Sequence, residues 1–428
     1  MSPDGASYLP RVIDDELDAL FPHLAAIALE GAKGVGKTAT AIRRARTVHR
    51  LDEPGELAVI EAEPGLIAGS PRPVLVDEWQ RVPATWDVVR RAVDDRAPGG
   101  SFLLTGSATP LDGPAHSGAG RIVRARMRPL SLAERALDVP TVSLSALLTG
   151  DQPQVQGRTT VDLRAYTREI VASGLPGLRG LPDRPRRAQL DSYIDQVVDR
   201  DVADAGARVR SPATLRRWLA AYAAATATTA SYDTIRDAAT SGEHDKPAKS
   251  TTQPYRDTLQ RIWILDPLPA WLPTRNTLSR LSSPPKHHVL DPALAARLVG
   301  ADLASLLEGA SPGPAVPRDG TLLGALFESL VTLSVRVYAQ AAEASVGHLR
   351  TRGGRQEVDL IVARADQQVV AIEVKLGGVV DDRDVRHLRW LREQLDGDLL
   401  DAVVVNTGPA AYRRPDGIAV VPAALLGP

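Results

Sequence analysis

The 428-residue sequence predicts an α/β protein in three parts: an N-terminal parallel sheet, a helical middle with a winged-helix pattern, and a smaller C-terminal α/β unit. Two observations predict the sheet. The apolar run Leu24–Leu29 enters the glycine loop Gly31-Ala-Lys-Gly-Val-Gly-Lys-Thr38, and a stretch of helical composition follows. Two further apolar runs, Pro73–Val76 and Ser101–Ser107, end in polar residues, where a parallel sheet presents its carboxyl edge to a ligand. A third observation predicts the last part: beyond the Pro/Gly-rich stretch 310–320 the pattern runs helix, strand, strand, helix, strand. The expected boundaries are 1–140, 141–309 and 320–428.

In chain order, Asp14–Leu20 predicts a short leading helix. Strand, glycine loop and helix at 24–46 form the context that a phosphate-binding loop requires. Gly31, Gly34 and Gly36 let backbone N–H groups face an anion, Lys37 reaches the β- and γ-phosphates of ATP, and the Thr38 hydroxyl can hold Mg²⁺. One more strand is expected at Leu57–Glu61. Asp77, at the end of the next strand, is placed to hold Mg²⁺ through water, and Glu78 to orient or deprotonate the attacking water. Thr105 or Ser107, ending the third strand, can sense the γ-phosphate. Of Arg121, Arg124, Arg126 and Arg128, the first to follow the loop is Arg121, expected to neutralise γ-phosphate charge in cis or in trans.

The middle predicts a helix at Ala188–Val202 whose Asp191, Asp195, Asp199 and Asp201 can pair with Arg184, Arg186 and Arg187. Then come Ser231–Ala239, a polar turn at 241–249, the segment Ser250–Ile262 and the strand Ile262–Leu265. Helix, turn, helix and wing suggest a winged helix, with Lys246, Lys249, Arg256 and Arg261 able to meet phosphate. Residues 179–262 carry 14 basic and 11 acidic side chains, so the module can equally be a packing element without DNA.

In the last part, Leu322–Tyr338 predicts a helix carrying Glu328, and Glu357–Ala363 and Val369–Lys375 predict strands. A helix at Asp381–Leu395 and a strand at Asp401–Asn406 follow. Side chains alternate along a strand, so Glu373 and Lys375 share a face. With Asp359 on the adjacent strand they form a candidate centre: Asp359, Glu373 and Glu328 as ligands of Mg²⁺ or Mn²⁺, and Lys375 orienting water or stabilising phosphoryl charge. The competing account is a structural salt bridge, although charges that interrupt an aliphatic strand need a reason.

Apolar content of 43% and charged content of 24% are those of an ordinary globular protein. There is no cysteine, which excludes thiolate metal sites and disulfides. With no run of 18 apolar residues, a cytoplasmic location without membrane contact is expected. Net charge of −1 gives no global pull toward nucleic acid. Only six of the 51 basic residues are lysine, at 33, 37, 246, 249, 286 and 375, so a lysine at a chemically meaningful position marks a need for a compact point charge.

The segments GAKGVGKT, PVLVDEWQRVP, LLTGSATP, the GR…RPLSLAE run, YIDQVVDRDV, HHVLDPALAARLVG, LFESLV and EVDLIVA…VAIEVK together resemble a family of prokaryotic AAA-type P-loop ATPases. Members of that family carry a winged-helix region and a C-terminal restriction-endonuclease-like domain. The resemblance covers nearly the whole chain. It implies an ATP-binding, Mg²⁺-dependent ATPase whose last domain follows the PD-(D/E)xK nuclease pattern, with Asp359, Glu373 and Lys375 in place and Val358 where proline often stands. The expected function is an ATPase coupling nucleotide state to DNA binding or cleavage. The alternative is an ATP-dependent switch or protein-interaction regulator with an inactive nuclease fold. Oligomers are possible, since AAA-type sites often borrow an arginine from a neighbour.

Overall fold

The computed structural model describes residues 8–107, 118–206, 209, 211–240, 249–272, 283–308, 321–351 and 353–428. Lys246, most of the polar turn, the start of the loop before Gly120 and the stretch 310–320 lie outside them.

The N-terminal sheet has five parallel strands in the order β2-β3-β4-β1-β5: β1 Ala26–Glu30, β2 Thr47–Arg50, β3 Val74–Asp77, β4 Phe102–Gly106 and β5 Val123–Arg126. Alternation splits its side chains cleanly. Ile27, Leu29, Leu75 and Leu103 enter the core shared with the rest of the chain. Ala26, Ala28, Val74, Val76, Phe102 and Leu104 pack beneath Trp79 and Trp86 on the other face. The expected strand Leu57–Glu61 is instead part of a helix, Pro54–Ala62. Pro54 sits in its first turn, where a missing N–H costs nothing, and only Ile60 of this segment is buried. The actual strand is β2, whose sequence Thr-Val-His-Arg is half-buried at the sheet edge and so lacks an apolar run.

The middle region contains the helices Pro212–Ala224, Tyr232–Ala238 and Lys249–Arg261, the first two capped by the hydroxyls of Ser211 and Ser231. A short antiparallel ladder follows, Leu265 opposite Val289 and Leu268 opposite Lys286. The expected pairing of Asp191, Asp195 and Asp201 with the nearby arginines does not form. They pair with Arg297, Arg216 and Lys33, because a helix of this length aims its acidic faces at neighbouring elements.

The C-terminal part contains a main sheet and a small two-stranded one, and each takes one strand from the segment after the first domain. Those are β6 Val142–Ser143 and β7 Gly157–Arg158, followed late in the chain by β8 Ser345–Arg350, β9 Glu357–Ala363, β10 Val369–Val374, β11 Leu399–Asn406, β12 Ala410–Arg413, β13 Ala419–Pro422 and β14 Leu426–Gly427. The main sheet runs β7-β12-β13-β11-β10-β9-β8, and β6 pairs with β14. Segment 142–158 therefore belongs structurally with the last part rather than the middle. Within the helix Thr321–Ala341, the stretch Leu322–Ala341 has the length and apolarity of a membrane span, with a mean hydropathy of 1.4. Leu326, Phe327, Leu330, Val331, Val335 and Tyr338 spend that apolarity on the protein core.

The three parts meet at Asp266, on the ladder of the middle region. Its carboxylate faces Arg126 at 2.9 Å, Arg128 at 3.0 Å and Arg336 at 2.9 Å, drawn from β5, the segment after it and the long C-terminal helix. Burial alone would raise the Asp266 pKa, but the guanidiniums outweigh it and hold the carboxyl far below its ordinary value. Asp266→Asn leaves three buried cations without their counter-charge and should cost about 3–5 kcal/mol in urea unfolding. Because the folded value is depressed, this contribution is present above the unfolded carboxylate pKa and fades as pH falls below it. Wild type should thus lose more stability than the variant between about pH 5 and pH 2.

Candidate nucleotide site and C-terminal charge cluster

The loop after β1 passes so close to the segment following β5 that a Cβ on Gly31 would lie 2.2 Å from the Met127 carbonyl oxygen. Gly36, at φ 101°, starts the helix Lys37–Ile42 from a left-handed conformation. Arg11 fastens the loop from outside, donating to the carbonyls of Val35 and Arg128, both at 2.7 Å, while pairing with Glu134. Lys37 Nζ donates to the carbonyls of Gly31 at 2.9 Å and Ala32 at 2.8 Å, which holds the ammonium at the loop. Burial pulls its pKa down to about 8, partly opposed by Glu78 and Asp77.

Register places the acidic and hydroxyl groups together: Asp77 is opposite Thr105 across β3 and β4. Asp77 Oδ1 accepts hydrogen bonds from Thr38 Oγ1 at 2.8 Å and from Thr105 Oγ1. A hydroxyl and a carboxylate in contact form a hard-oxygen set that fits Mg²⁺ alongside phosphate oxygens. Thr105 is fully buried and donates to Asp77, whereas Ser107 lines the cleft. Glu78 has φ 55°, a left-handed conformation unusual for a non-glycine residue. Its carboxylate accepts from Gln80 Nε2 and from Ser107 Oγ at 3.1 Å.

A cleft of about 1080 Å³ opens here, floored by Gly34, Lys37, Thr38, Glu78 and Ser107. Its other wall comes from the middle region: Pro176, Tyr193, Asp201, Asp204 and Ile264. Lys33 Nζ meets Asp201 at 2.7 Å, and the Tyr193 hydroxyl donates to the Lys33 carbonyl at 3.2 Å. Asp201 closes a π-helical turn, Val197–Asp201. Tyr193 and Asp201 lie in the segment YIDQVVDRDV, but their place beside the glycine loop, like that of Arg11, is not visible in sequence because their partners lie far off along the chain.

Arg121 does not reach the cleft. It stands two residues before Val123, which pairs with Ile27 near the start of β1, so it lies at the sheet edge opposite the glycine loop. Its guanidinium is half-exposed and pairs with Asp94 at 2.9 Å. In this structure it is not placed to meet the γ-phosphate of the same chain. Arg124 and Arg126 are likewise engaged, with Glu30 and Asp266.

In the C-terminal sheet Asp359 and Glu373 do come together, each one residue past the last paired residues Leu360 and Ile372. Asp359 Oδ2 accepts from the Val374 N–H at 2.9 Å, and Lys375 Nζ donates to Glu373 Oε1 at 2.8 Å. Glu328 joins them from its helix. Between the carboxylates, however, stands a group that the sequence did not single out. Lys286, 1% exposed, donates to Glu328 Oε1 at 2.7 Å and Asp359 Oδ1 at 3.0 Å, with Glu357 at 3.5 Å. Burial would lower the Lys286 pKa, but Asp359 and Glu328 reverse this and raise it. The expected shared cation does not fit a site already holding an ammonium, and no three acidic or imidazole groups converge on a metal position among the described residues. The one clue was the scarcity of lysine.

Comparison with known proteins bears on the parts separately. Residues 24–136 match the family model of an AAA domain. This part is an AAA-type P-loop ATPase domain. Residues 163–305 match the domain of unknown function DUF8612, and 323–426 the domain of unknown function DUF4143. The chain is 29% identical over 239 residues to an uncharacterized protein of Mycobacterium tuberculosis and, equally, to one of Mycobacterium bovis. That match covers 55% of this chain and 46% of each relative, so the chain spans about half their length. The Walker-type ATPase PABY2304 of Pyrococcus abyssi overlaps 67% of this chain and 94% of its own at 16% identity, with a TM-score of 0.37, too loose to assign a fold.

Two outcomes follow for the AAA domain. Phosphate binding needs the charged Lys37, so ATP affinity should fall about tenfold between pH 7 and pH 9, and stay flat and weak in Lys37→Ala, by titration with a fluorescent nucleotide. Arg121→Ala should keep turnover within about threefold, and a larger loss that depends on protein concentration would reveal supply by a second copy.

Proposed function

We propose that the chain is a Mg²⁺-dependent ATPase acting in the cytoplasm as an ATP-dependent molecular switch. The observation that carries this reading is the glycine loop with its own catalytic acid on one side and the middle region as a wall on the other. In this reading the backbone N–H groups of 34–38 and the Lys37 ammonium hold the phosphates. Mg²⁺ at Thr38 and Asp77 would neutralise phosphate charge. Glu78 orients the attacking water and accepts its proton, and Ser107 steadies the Glu78 carboxylate. Phosphate binding competes for the loop that Lys33 and Tyr193 tie to the middle region, so loading of the site alters how that region is held.

The finer reading, in which nucleotide state governs DNA binding or cleavage by a nuclease-like domain, draws on the grouping of Asp359, Glu373 and Lys375. Two observations weigh toward the switch. Two of the basic residues of the winged-helix pattern already have partners, Lys249 in Asp233 at 2.8 Å and Arg256 in Asp257 and the Tyr232 ring. Of the carboxylates that would ligate the nuclease metal, Glu328 and Asp359 pair with Lys286 and Glu373 with Lys375.

Steady-state ATP turnover tests the proposal. Glu78→Gln should retain ATP affinity and lose turnover by at least about 10²-fold. Equal turnover in Glu78→Gln and wild type would overturn the ATPase assignment. Binding of duplex or single-stranded DNA that appears only with ATP would replace the switch with the DNA reading.

A further inference from the structure

The carboxylate cluster has an owner for its charge that comes from another module. Glu328, Asp359 and Glu373 lie in the segment matching one domain family, residues 323–426, whereas Lys286 lies in the segment matching another, 163–305. The Lys286 side chain is not a free arm that swings in. Its backbone exchanges both ladder hydrogen bonds with Leu268, at 2.9 and 2.8 Å, and the His348 ring meets the nearby Pro284 carbonyl at 3.1 Å. The ammonium is therefore delivered to a fixed point, within 3.0 Å of oxygens from both Glu328 and Asp359.

A divalent cation bridging those two oxygens would need distances of about 2.0–2.6 Å to each and would fall on the same point. Two cations cannot share it without a large repulsion at short range in a buried site. The other two carboxylates of the cluster have cations of their own: Lys375 pairs with Glu373 and Arg350 with Glu357. Of the four carboxylates in this cluster, Glu373 has one oxygen, Oε2, that is buried without a hydrogen-bond partner, an acceptor left over from the charge pairing.

We infer that Lys286 is an internal substitute for the divalent cation, converting a metal-type carboxylate site into a metal-excluding junction that locks the C-terminal module to the middle region. This reading does not depend on ATP hydrolysis.

The test is Mn²⁺ binding to the full chain without nucleotide, followed by electron paramagnetic resonance of free Mn²⁺. Wild type and Asp359→Asn should bind indistinguishably. Lys286→Met should gain about one Mn²⁺ per chain, with an upward shift of its melting temperature on adding Mn²⁺, and Lys286→Met/Asp359→Asn should lose both. Far-ultraviolet dichroism and ATP affinity report whether Lys286→Met is folded. If it is folded and gains no Mn²⁺, the inference fails. Should it not fold, the wild-type comparison decides alone: a Mn²⁺ site in wild type that disappears in Asp359→Asn, with or without a non-hydrolysable ATP analogue, overturns the proposal, and equal binding upholds it.

Discussion

A carboxylate buried among three guanidiniums cannot be left partly satisfied, and in this protein that carboxylate sits where three parts of the chain join. Asp266 draws Arg126 from the strand beside the glycine loop, Arg128 from just beyond it, and Arg336 from the long C-terminal helix. The attraction fixes more than its own neighbours. The Asp266 N–H donates to the His288 carbonyl at 2.9 Å, and two residues along the same ladder Leu268 holds Lys286. One short ladder therefore positions both buried charge clusters, so the geometry of either is sensitive to strain in the other.

The nucleotide cleft shows how few of its contacts belong to the motif that announces it. Lys37, Thr38, Asp77 and Glu78 come from the two stretches that any reader of the sequence would mark. Their placement relies on Thr105 beneath Asp77, on Arg11 gripping the Val35 carbonyl, and on a wall contributed by Tyr193 and Asp201. A π-helical turn at the wall, where Asp201 reaches Lys33, is the kind of local irregularity often found beside functional sites.

The legibility of the chain follows the same division. Strands β1, β3 and β4, buried on both faces, read as apolar runs, and their polar ends marked the site directly. Edge strand β2 did not, since half-buried Thr, Val, His and Arg carry no run, and the neighbouring Leu-Ala-Val-Ile drew the assignment away. Asp359, Glu373 and Lys375 were found from period-two spacing on adjacent strands. Lys286 was not, because its importance lies in a contact 42 residues from Glu328 and 73 from Asp359. Arg121 was read from order along the chain, and order alone does not say which edge of a parallel sheet a residue occupies.

The threading of segment 142–158 carries a consequence for how the molecule can be divided. Strand β7 hydrogen-bonds to β12 at the edge of the main C-terminal sheet, and β6 to β14 in a separate small one, so both sheets are completed by chain that is synthesised before the entire middle region. A fragment cut to the last hundred or so residues would present the β12 edge bare, an invitation to pair with another copy. The sheet is thus discontinuous in sequence, and the middle region behaves topologically as an insertion within it. In the order of ribosomal synthesis, β6 and β7 must wait unpaired until the last strands emerge, which makes completion of this sheet a late, long-range event in folding.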